Sequence, residues 1–477
     1  MYDARLHEAV KPFCEKLRSA AEDGCSTCIV THQDADSLIA ASIICMTLLR
    51  LGAKCVIRVI SETTAVVIEQ MKSEAYDFYI ICELGSGLGG VLNEAFADKW
   101  IIIDHHEPLK EDLAEGRGKH ILNAFKYGID GRSEVSSGGL AFIIATEIEK
   151  RNWDLSPIAL VSAISDRQDQ GDKRSFVGIN SEIMKIAQSH GLISVNSDLM
   201  FNGRDTKPFH EALASTPYPY IHGITWNIEN AYSVIKNSGV EMKENGRWRV
   251  LAEIQQEEKD MILDAIVKFV AASSKYDTAN LVQSLEGNAY TLVEEDLRSQ
   301  LRDAREFSTM LNACGSTGRG SVAVGICMGD RDVSLNEGEQ IVKTHQTTLA
   351  KCISTILAEK WRTIDDGRTI FVNAENVIPE DMLTSASYLL SGSPICDRMM
   401  FVWTTSRDGM HKFSCRKCDC CKSRLNLSLI VRRCAEAVGG IGHGQAEAAV
   451  CKIPPDRLEV FVSNIKRIML DSNASSA

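Results

Sequence analysis

The sequence predicts an α/β protein whose N-terminal part is built on an open parallel sheet. Between residues 25 and 104, short apolar runs alternate with segments of helical periodicity, as expected for βαβ units. Each run ends in polar or charged residues, most clearly where the apolar stretch 99–103 leads into Asp104, His105 and His106. The chain has 477 residues, of which 44% are hydrophobic and 24% charged, so one to three globular domains are expected.

The order of the elements follows from these runs. Strands are predicted at 25–31, 55–60, 77–82 and 99–104, and helices at 37–51, 61–72, 88–97 and 157–168. Continuous apolar strands indicate a sheet that is covered on both faces, and the carboxyl ends of its parallel strands meet at one edge. We therefore assign residues 1–190 to an N-terminal parallel-sheet domain.

The remainder of the chain divides into two predicted parts. Residues 191–302 are predicted to be a linking region with helices near 226–238 and 255–274, because polar helical stretches flank turn-rich segments there. Residues 303–470 are predicted to be a smaller C-terminal α/β domain. Its predicted elements are a glycine-rich turn at 315–320, a strand ending at residue 327, a helix at 340–362 and strands at 369–372 and 399–404.

Composition and charge restrict the class of protein. No run of about eighteen apolar residues and no secretory signal are recognised, so we expect a cytoplasmic protein without a membrane partner. The net charge of −12 does not indicate a nucleic-acid binder as a whole. Residues 411–433, however, contain seven lysines or arginines and one acid, which fits either a local phosphate-binding surface or a solvated helix face. A homo-oligomer is compatible with all of these features.

A first group of candidate metal ligands follows the first predicted strand. His32, Asp34 and Asp36 alternate along an expected extended loop, so their side chains are predicted to lie on one side of it. One imidazole and two carboxylates suit Mn²⁺, Mg²⁺ or Zn²⁺. Capping of the following helix by Asp36 or Ser37 would explain one of these polar residues, but not three.

Further acidic residues occupy equivalent positions later in the chain. Glu83 follows the third strand, residues 104–106 follow the fourth, and Asp166 ends the helix at 157–168. Roughly four carboxylates at one rim of a sheet would repel one another unless cations neutralise them. Two divalent ions about 3.5–4 Å apart are the usual arrangement, and they serve in-line phosphoryl chemistry.

Taken in order, these motifs resemble the DHH phosphoesterase superfamily. They are His-x-Asp-x-Asp at 32–36, acid-Leu-Gly-Ser at 83–86, Asp-His-His at 104–106 and the later Asp166. The segment GGIGHGQAEAA at 439–449 resembles the Gly-Gly-x-x-His-x-x-Ala-Ala signature of the DHHA1 substrate-binding domain. The stretches YGIDG at 127–131, DAREF at 303–307 and LNACG at 311–315 are similar to the archaeal RecJ-like group. That group includes the GINS-associated nuclease and is related to a eukaryotic replication factor.

The resemblance implies a DHH domain at 1–190, a DHHA1 domain at 303–470 and an active site in the cleft between them. It implies that two Mn²⁺ or Mg²⁺ ions are held by six residues, namely His32, Asp34, Asp36, Glu83, His105 and Asp166. Asp104 would orient a histidine and His106 would face the scissile phosphate, which makes Asp104, His105 and His106 the implied catalytic set. The implied phosphate-binding residues are Arg416, Gly439, Gly440 and His443.

Two positions depart from the pattern of the superfamily. The metal-bridging position is normally Asp, whereas Glu83 adds one methylene, and metal sites are sensitive to shifts of about 0.2 Å. This change is expected to lower activity or to alter metal preference. Second, Asn-Ala-Phe at 123–125 stands where the group usually has Asn-Pro-His, so a polar contact near the site is expected to be missing.

Three functional hypotheses follow. The first is a RecJ-like, metal-dependent exonuclease that hydrolyses single-stranded DNA or RNA in replication or repair. The second is a weakly active or inactive replication scaffold that binds GINS and the replicative helicase, which Glu83 favours. The third is a phosphodiesterase of small oligonucleotides or cyclic dinucleotides. A separate cluster, Cys415, Cys418, Cys420 and Cys421, is an alternative Zn²⁺ site, although reactive or buried thiols are the favoured interpretation.

Overall fold

The computed structural model describes residues 4–474 except 62–63, 85, 109–117, 218, 274–277, 394, 419–420, 422 and 424. The helices are α1 Ala4–Glu22, α2 Ala35–Arg50, α3 Ala65–Glu74, α4 Gly89–Phe96, α5 Ser137–Ile148, α6 Ser156–Ser165, α7 Gly178–Ser189, α8 Phe209–Ala214, α9 Ile228–Ser238, α10 Gln256–Ser273, α11 Thr278–Leu285, α12 Ala304–Ser316, α13 Gly320–Cys327, α14 Val333–Ala358, α15 Leu383–Ser391, α16 Leu427–Glu436 and α17 Leu458–Ala474. The strands are β1 Ser26–Thr31, β2 Lys54–Val59, β3 Phe78–Cys82, β4 Trp100–Asp104, β5 Ile121–Asn123, β6 Ile193–Leu199, β7 Lys243–Glu244, β8 Arg247–Trp248, β9 Glu286–Leu292, β10 Thr363–Asp365, β11 Thr369–Asn373, β12 Met399–Thr405, β13 His411–Lys417, β14 Ile441–Gly444 and β15 Ala448–Ile453.

The chain forms two compact units. The first unit contains Met1–Phe209, Met242–Lys259 and Val282–Val342, and the second contains His210–Glu241, Asp260–Leu281 and Lys343–Ala477. No helix in the part of the chain that the structure describes is long and apolar enough to cross a membrane.

The first unit contains the predicted parallel sheet. Its five strands run in the order β2-β1-β3-β4-β5, and every pair is parallel. One face, including Ile29 and Ile101, packs against α1, α2 and α5, and the other, including Trp100, packs against α3 and α4. Burial of both faces explains why β3 and β4 are continuous apolar runs. The register aligns the ends of β1, β3, β4 and β5 at one edge of the sheet.

The segment from 303 to 342 belongs to the first unit, which differs from the predicted domain boundary. α12 and α13 pack their apolar sides, including Phe307, Leu311 and Ile326, into the core that also holds Leu38 of α2. The prediction of a strand ending at residue 327 is wrong, because Gly320–Cys327 is α13. An apolar run of eight residues fits a buried strand and a buried helix equally well.

The second unit is built on a six-stranded sheet in the order β10-β11-β12-β13-β15-β14. β11 and β12 are parallel and lie where strands were predicted, and the remaining pairs are antiparallel. One face, including Val372 and Val402, packs against α14 and α15. The other face, including Phe401 and Phe413, packs against α16 and α17. The mixed α/β class predicted for the C-terminal part is therefore confirmed.

The region predicted to be a link has structure of its own. α9 and α10 lie close to the two predicted helices, at Ile228–Ser238 and Gln256–Ser273. The sequence pattern did not reveal β6 and β9, which form an antiparallel pair near the two ends of this region. Residues 191–302 are therefore divided between the two units rather than forming a separate link.

Candidate metal centre

The loop after β1 places His32 and Asp34 side by side. Asp34 is the N-cap of α2: its Oδ1 accepts a hydrogen bond from the backbone N–H of Ser37 at 2.9 Å. Its Oδ2 lies 2.5 Å from Nδ1 of His32. The alternation predicted for residues 32–36 ends at Asp34, because α2 begins at Ala35. The expectation that Asp36 continues this extended row is therefore wrong.

Asp36 instead points from the first turn of α2 to the N-terminus of α5. Its two carboxylate oxygens accept hydrogen bonds from the backbone N–H groups of Ser137 at 2.9 Å and Gly138 at 2.8 Å, and one also accepts a short bond from the hydroxyl of Ser162. A helix N-terminus favours negative charge, so this buried carboxylate is held in place. A Cβ at Gly138 would lie 2.3 Å from Oγ of Ser162, which explains the glycine.

Glu83 enters the same region from the end of β3. Its backbone has φ of 64°, in the left-handed region, and its N–H bonds the carbonyl of Ile103 at 2.9 Å. The hydroxyl of Ser37 donates to Oε2 of Glu83 at 2.6 Å, while Oε1 lies 3.5 Å from Nε2 of His105. Ser37, which the sequence suggests only as a helix cap, therefore anchors the longer side chain of Glu83.

His105 lies at the centre of the acidic groups. Its Nδ1 bonds the carbonyl oxygen of Gly131 at 2.6 Å, which leaves Nε2 as the free ring nitrogen. Nε2 is buried and has no hydrogen-bond partner in the described part of the chain, although Oδ2 of Asp36 and Oε1 of Glu83 each lie 3.5 Å away. A buried imidazole nitrogen between two carboxylates matches the donor set of a divalent cation, so these residues fit the metal that the resemblance implies.

Asp104 and His106 form a second pair at the same edge. Asp104 is fully buried at the end of β4, and its Oδ1 accepts bonds from Nδ1 and from the backbone N–H of His106 at 2.9 and 3.0 Å. The histidine that Asp104 orients is thus His106, whose side chain is 39% exposed. Asn123 holds the backbone of His106 by donating to its carbonyl at 2.8 Å.

Asp166 reaches the centre from the end of α6. Its Oδ2 lies 3.6 Å from Nδ1 of His105 and accepts a bond from Nε2 of Gln168 at 2.9 Å. Two metal-capable groups result, Asp36-His105-Asp166 and Glu83-His105-His106, and within each group the ligand atoms lie within 4.8 Å of one another. Four of the six predicted ligands are therefore brought together, whereas His32 and Asp34 pair with each other beside them.

The titrating groups show that negative charge is crowded here. Burial raises the pKa of Asp36 to about 6, with Asp166 adding to the rise, and burial together with Asp34 raises the pKa of Glu83 well above its usual range. Although burial opposes it, the carboxylates of Asp166 and Asp36 raise the pKa of His105 to about 9. A divalent cation among these carboxylates would neutralise part of the negative charge that raises these pKa values.

The predicted phosphate-binding residues lie in the second unit. Arg416 is on β13, where its Nε donates to Oγ of Ser387 at 3.2 Å and its guanidinium lies over the ring of Tyr388 at 5.3 Å. His443 is on β14, and the pairing of β13, β15 and β14 puts it on the same face of the sheet as Arg416.

Gly439 and Gly440 connect α16 to β14, and β15 lies between β14 and β13 in the sheet. Gly439 has φ of 79°, which favours glycine, and a Cβ at Gly440 would meet the carbonyl oxygen of Lys452 at 2.3 Å. The tight connection fixes where β14 and its His443 begin. Whether these residues bind phosphate stays a prediction.

β13 distributes the side chains of the basic segment 411–433 and of the cysteine cluster over the two faces of the sheet. Lys417 points to the opposite face from Arg416 and is buried in an ion pair with Glu447 at 2.9 Å, so it does not extend an exposed basic row. Cys415 packs in the core under α16, Cys418 packs on the side of α15, and Cys421 contacts both cores. Among the described residues these thiols form no metal-capable group, and Cys420 lies outside them.

Comparison with known proteins supports the predicted fold. The family model described as the DHH-CID domain matches residues 201–282, within the region that had been predicted to be a link. An uncharacterized protein of Methanocaldococcus jannaschii is 25% identical over 446 residues, which are 92% of each chain.

Three solved structures share the fold at low sequence identity. RecJ of Thermus thermophilus in complex with Mn²⁺ gives a TM-score of 0.59 at 16% identity over 99% of this chain, which spans only 55% of that chain. Exonuclease RecJ bound to manganese gives 0.58 at 14% identity over 98% of this chain and 95% of that chain. CDC45 from Entamoeba histolytica gives 0.65 at 11% identity over 97% of this chain and 99% of that chain. These likenesses confirm the predicted RecJ-like DHH fold.

Proposed function

Starting from a DHH-CID domain within a RecJ-like DHH fold, we propose that this protein is a metal-dependent exonuclease that hydrolyses phosphodiester bonds in single-stranded nucleic acid. One observation carries the proposal: the buried Nε2 of His105 lies 3.5 Å from a carboxylate oxygen of Asp36 and 3.5 Å from one of Glu83, and it has no hydrogen-bond partner among the residues that the structure describes. A protein that only binds other proteins has no need of such an arrangement, since buried carboxylates that lack a cation destabilise the fold.

The roles of the residues follow from their geometry. Asp36, Glu83, His105 and Asp166 would hold Mn²⁺ or Mg²⁺, and the ions would lower the pKa of water and neutralise charge on the reacting phosphate. His106 is partly exposed and is held by Asp104 through Nδ1, so its Nε2 is available to bind a phosphate oxygen. His32 and Asp34 would complete the ligand set if His32 turns away from its present bond.

The second unit would bind the strand away from the point of cleavage. Arg416 is held by Ser387 and Tyr388 with a guanidinium suited to phosphate, and His443 shares its face of the sheet. Gly439 and Gly440 would support this role by fixing where β14 and its His443 begin, since their own backbone N–H groups donate to the carbonyls of Glu436 and Ala435 at 3.1 and 2.8 Å. A row of such contacts favours a polymer over a small ester.

The test is hydrolysis of end-labelled single strands of DNA and RNA with Mn²⁺, with Mg²⁺ and with EDTA. We expect stepwise shortening from one end with either ion, and none with EDTA or with Asp166→Ala. The label that is lost first gives the polarity. Cleavage of cyclic dinucleotides or dinucleotides alone would instead support a small-substrate phosphodiesterase, and no cleavage of any substrate would contradict the proposal.

A replication scaffold is the second candidate. It is favoured by the likeness to CDC45, which extends over 99% of that chain. The resemblance implies GINS and the replicative helicase as partners. Size-exclusion chromatography with light scattering, on the protein alone and mixed with each partner, tests both this role and a homo-oligomer. Complexes that form equally with Asp166→Ala in the absence of hydrolysis by the wild type would support the scaffold.

A further inference from the structure

Gln168 is a buried polar residue that contacts the candidate metal centre. Its side chain is fully buried immediately after α6. Nε2 lies 2.9 Å from the carbonyl of Gly131, 2.9 Å from Oδ2 of Asp166 and 3.2 Å from the carbonyl of Val135. A single amide group therefore contacts both a predicted metal ligand and the carbonyl that fixes His105.

The direction of this amide is determined by Asn180. Nδ2 of Asn180 donates to Oε1 of Gln168 at 2.6 Å. If the Gln168 amide were reversed, its oxygen would face the oxygen atoms of Gly131, Val135 and Asp166, which are all acceptors. Nε2 of Gln168 therefore faces the centre, where it also lies 3.3 Å from Nδ1 of His105, and Oε1 faces α7, where Asn180 lies.

The backbone at the end of α6 delivers Asp166 and Gln168 together. The N–H of Gln168 bonds the carbonyl of Ala163 at 2.9 Å and the N–H of Arg167 bonds that of Ile164 at 3.0 Å, while Arg167 has φ of 58°. These two bonds with a left-handed residue define a Schellman helix end. A residue other than glycine in this conformation costs about 1 kcal/mol, so the turn is retained against a local preference.

From these contacts we propose that Gln168 is a positioning residue for the metal centre. By donating to Gly131 it fixes the carbonyl that receives Nδ1–H of His105, so Nε2 of His105 is the ring nitrogen held towards Asp36 and Glu83. By donating to Oδ2 of Asp166 it fixes the rotation of that carboxylate. The inference rests on the proposed metal-dependent function and deepens it, because it names what orients two of the ligands.

The experiment is a calorimetric titration of Mn²⁺ into the full-length protein and into Gln168→Met, Gln168→Glu and Gln170→Met. Methionine fills a similar volume without donating, and glutamate keeps the shape but offers only acceptors. Gln170 is an exposed glutamine in the same loop, bonded only to the carbonyl of Arg167 in the described structure at 3.1 Å, and serves as the matched control. Thermal unfolding in EDTA is recorded for each protein.

Loss of a partner that orients a metal ligand typically weakens metal affinity about 10- to 100-fold. We expect Gln168→Met to bind Mn²⁺ more weakly by this factor and Gln168→Glu to bind it more weakly still. Gln170→Met should bind Mn²⁺ as tightly as the wild type. An unchanged dissociation constant in a folded Gln168→Met, even with a lower melting temperature, would overturn the inference while leaving the metal centre intact. A wild type that binds no Mn²⁺ would overturn both. If the Gln168 variants fail to fold, Asn180→Ala removes the donor that holds Oε1 of Gln168 and so loosens this side chain. Weaker Mn²⁺ binding by Asn180→Ala would then support the inference, and an unchanged dissociation constant would overturn it.

Discussion

Replacing Glu83 by Asp tests whether the longer carboxylate is a defect or is matched to this protein. The structure predicts that it is matched. Oε2 of Glu83 accepts a bond from Oγ of Ser37 at 2.6 Å, and Oε1 faces Nε2 of His105 at 3.5 Å. Glu83→Asp should therefore weaken Mn²⁺ binding and hydrolysis, although the resemblance to the DHH superfamily implies aspartate as the usual residue there.

The expected size follows from the distances. Removing one carbon–carbon bond withdraws the carboxylate by about 1.5 Å, which places it out of hydrogen-bonding reach of Ser37. A hydrogen bond to a charged group contributes about 1.5–3 kcal/mol, and every 1.4 kcal/mol is about tenfold in affinity. We therefore expect Mn²⁺ to bind roughly 10- to 100-fold more weakly. Backbone strain does not oppose the change, because aspartate tolerates the left-handed φ of 64° better than glutamate.

The assay is calorimetric titration of Mn²⁺ combined with hydrolysis of an end-labelled strand. Glu83→Gln is the companion variant, because it keeps the length and removes the charge, and Ser37→Ala removes the anchor alone. In Ser37→Ala the additional loss from Glu83→Asp should be small, since the anchoring bond is already absent. Tighter Mn²⁺ binding or faster hydrolysis by Glu83→Asp would refute the reasoning and show that the additional methylene impairs the site.

Three other outcomes are expected. Arg416→Ala should weaken oligonucleotide binding and reduce the salt dependence of the binding constant by about 0.7 log unit per tenfold change in salt, the value for one lost phosphate contact. The control Arg407→Ala, at an exposed arginine, should change neither quantity. Equal salt dependence of filter binding for Arg416→Ala and the wild type would show that Arg416 does not contact the nucleic acid. Burial, and then Asp303, raises the pKa of Glu306 to about 8, so the folded state binds this proton more tightly than the unfolded state does. The free energy of unfolding should therefore fall as the pH rises from about 4 to about 8. In urea titrations the free energy of unfolding of Glu306→Gln should depend less on pH, and an identical pH dependence would contradict this. Asp166→Ala should abolish Mn²⁺-stimulated hydrolysis and leave the circular dichroism spectrum unchanged. Asp36→Ala should abolish hydrolysis and also lower the melting temperature, because the buried N–H groups of Ser137 and Gly138 lose their acceptor. Residual activity in both variants would show that these two carboxylates do not belong to the metal centre.

Much of the sheet could be predicted because its strands are buried on both faces. The runs that become β3 and β4 are continuous and apolar, and each ends at a charged residue, Glu83 or Asp104. The edge where these residues meet follows from parallel pairing alone. The same criterion failed for α13, since its eight apolar residues do not distinguish a buried strand from a buried helix.

The details of the site could not be predicted because they depend on contacts between distant parts of the chain. Asp36 is held by backbone groups of Ser137 and Gly138 about a hundred residues away, and nothing in the local pattern points to them. Gln168 contacts Gly131 across 37 positions, and a single glutamine after a helix carries no signal of this role. The anchor Ser37 is adjacent to a recognised motif, but its bond to Glu83 requires the fold.

The central claim is that the carboxylates around His105 bind divalent cations. Crystals of the protein soaked in MnCl₂ and measured at a wavelength where manganese scatters anomalously would locate the ions directly. The account predicts a strong anomalous peak within about 2.0–2.4 Å of Nε2 of His105, bridged by Asp36 or Glu83, with a second peak nearby. Absence of any peak between these side chains in the wild type, at Mn²⁺ concentrations that saturate binding in solution, would contradict it.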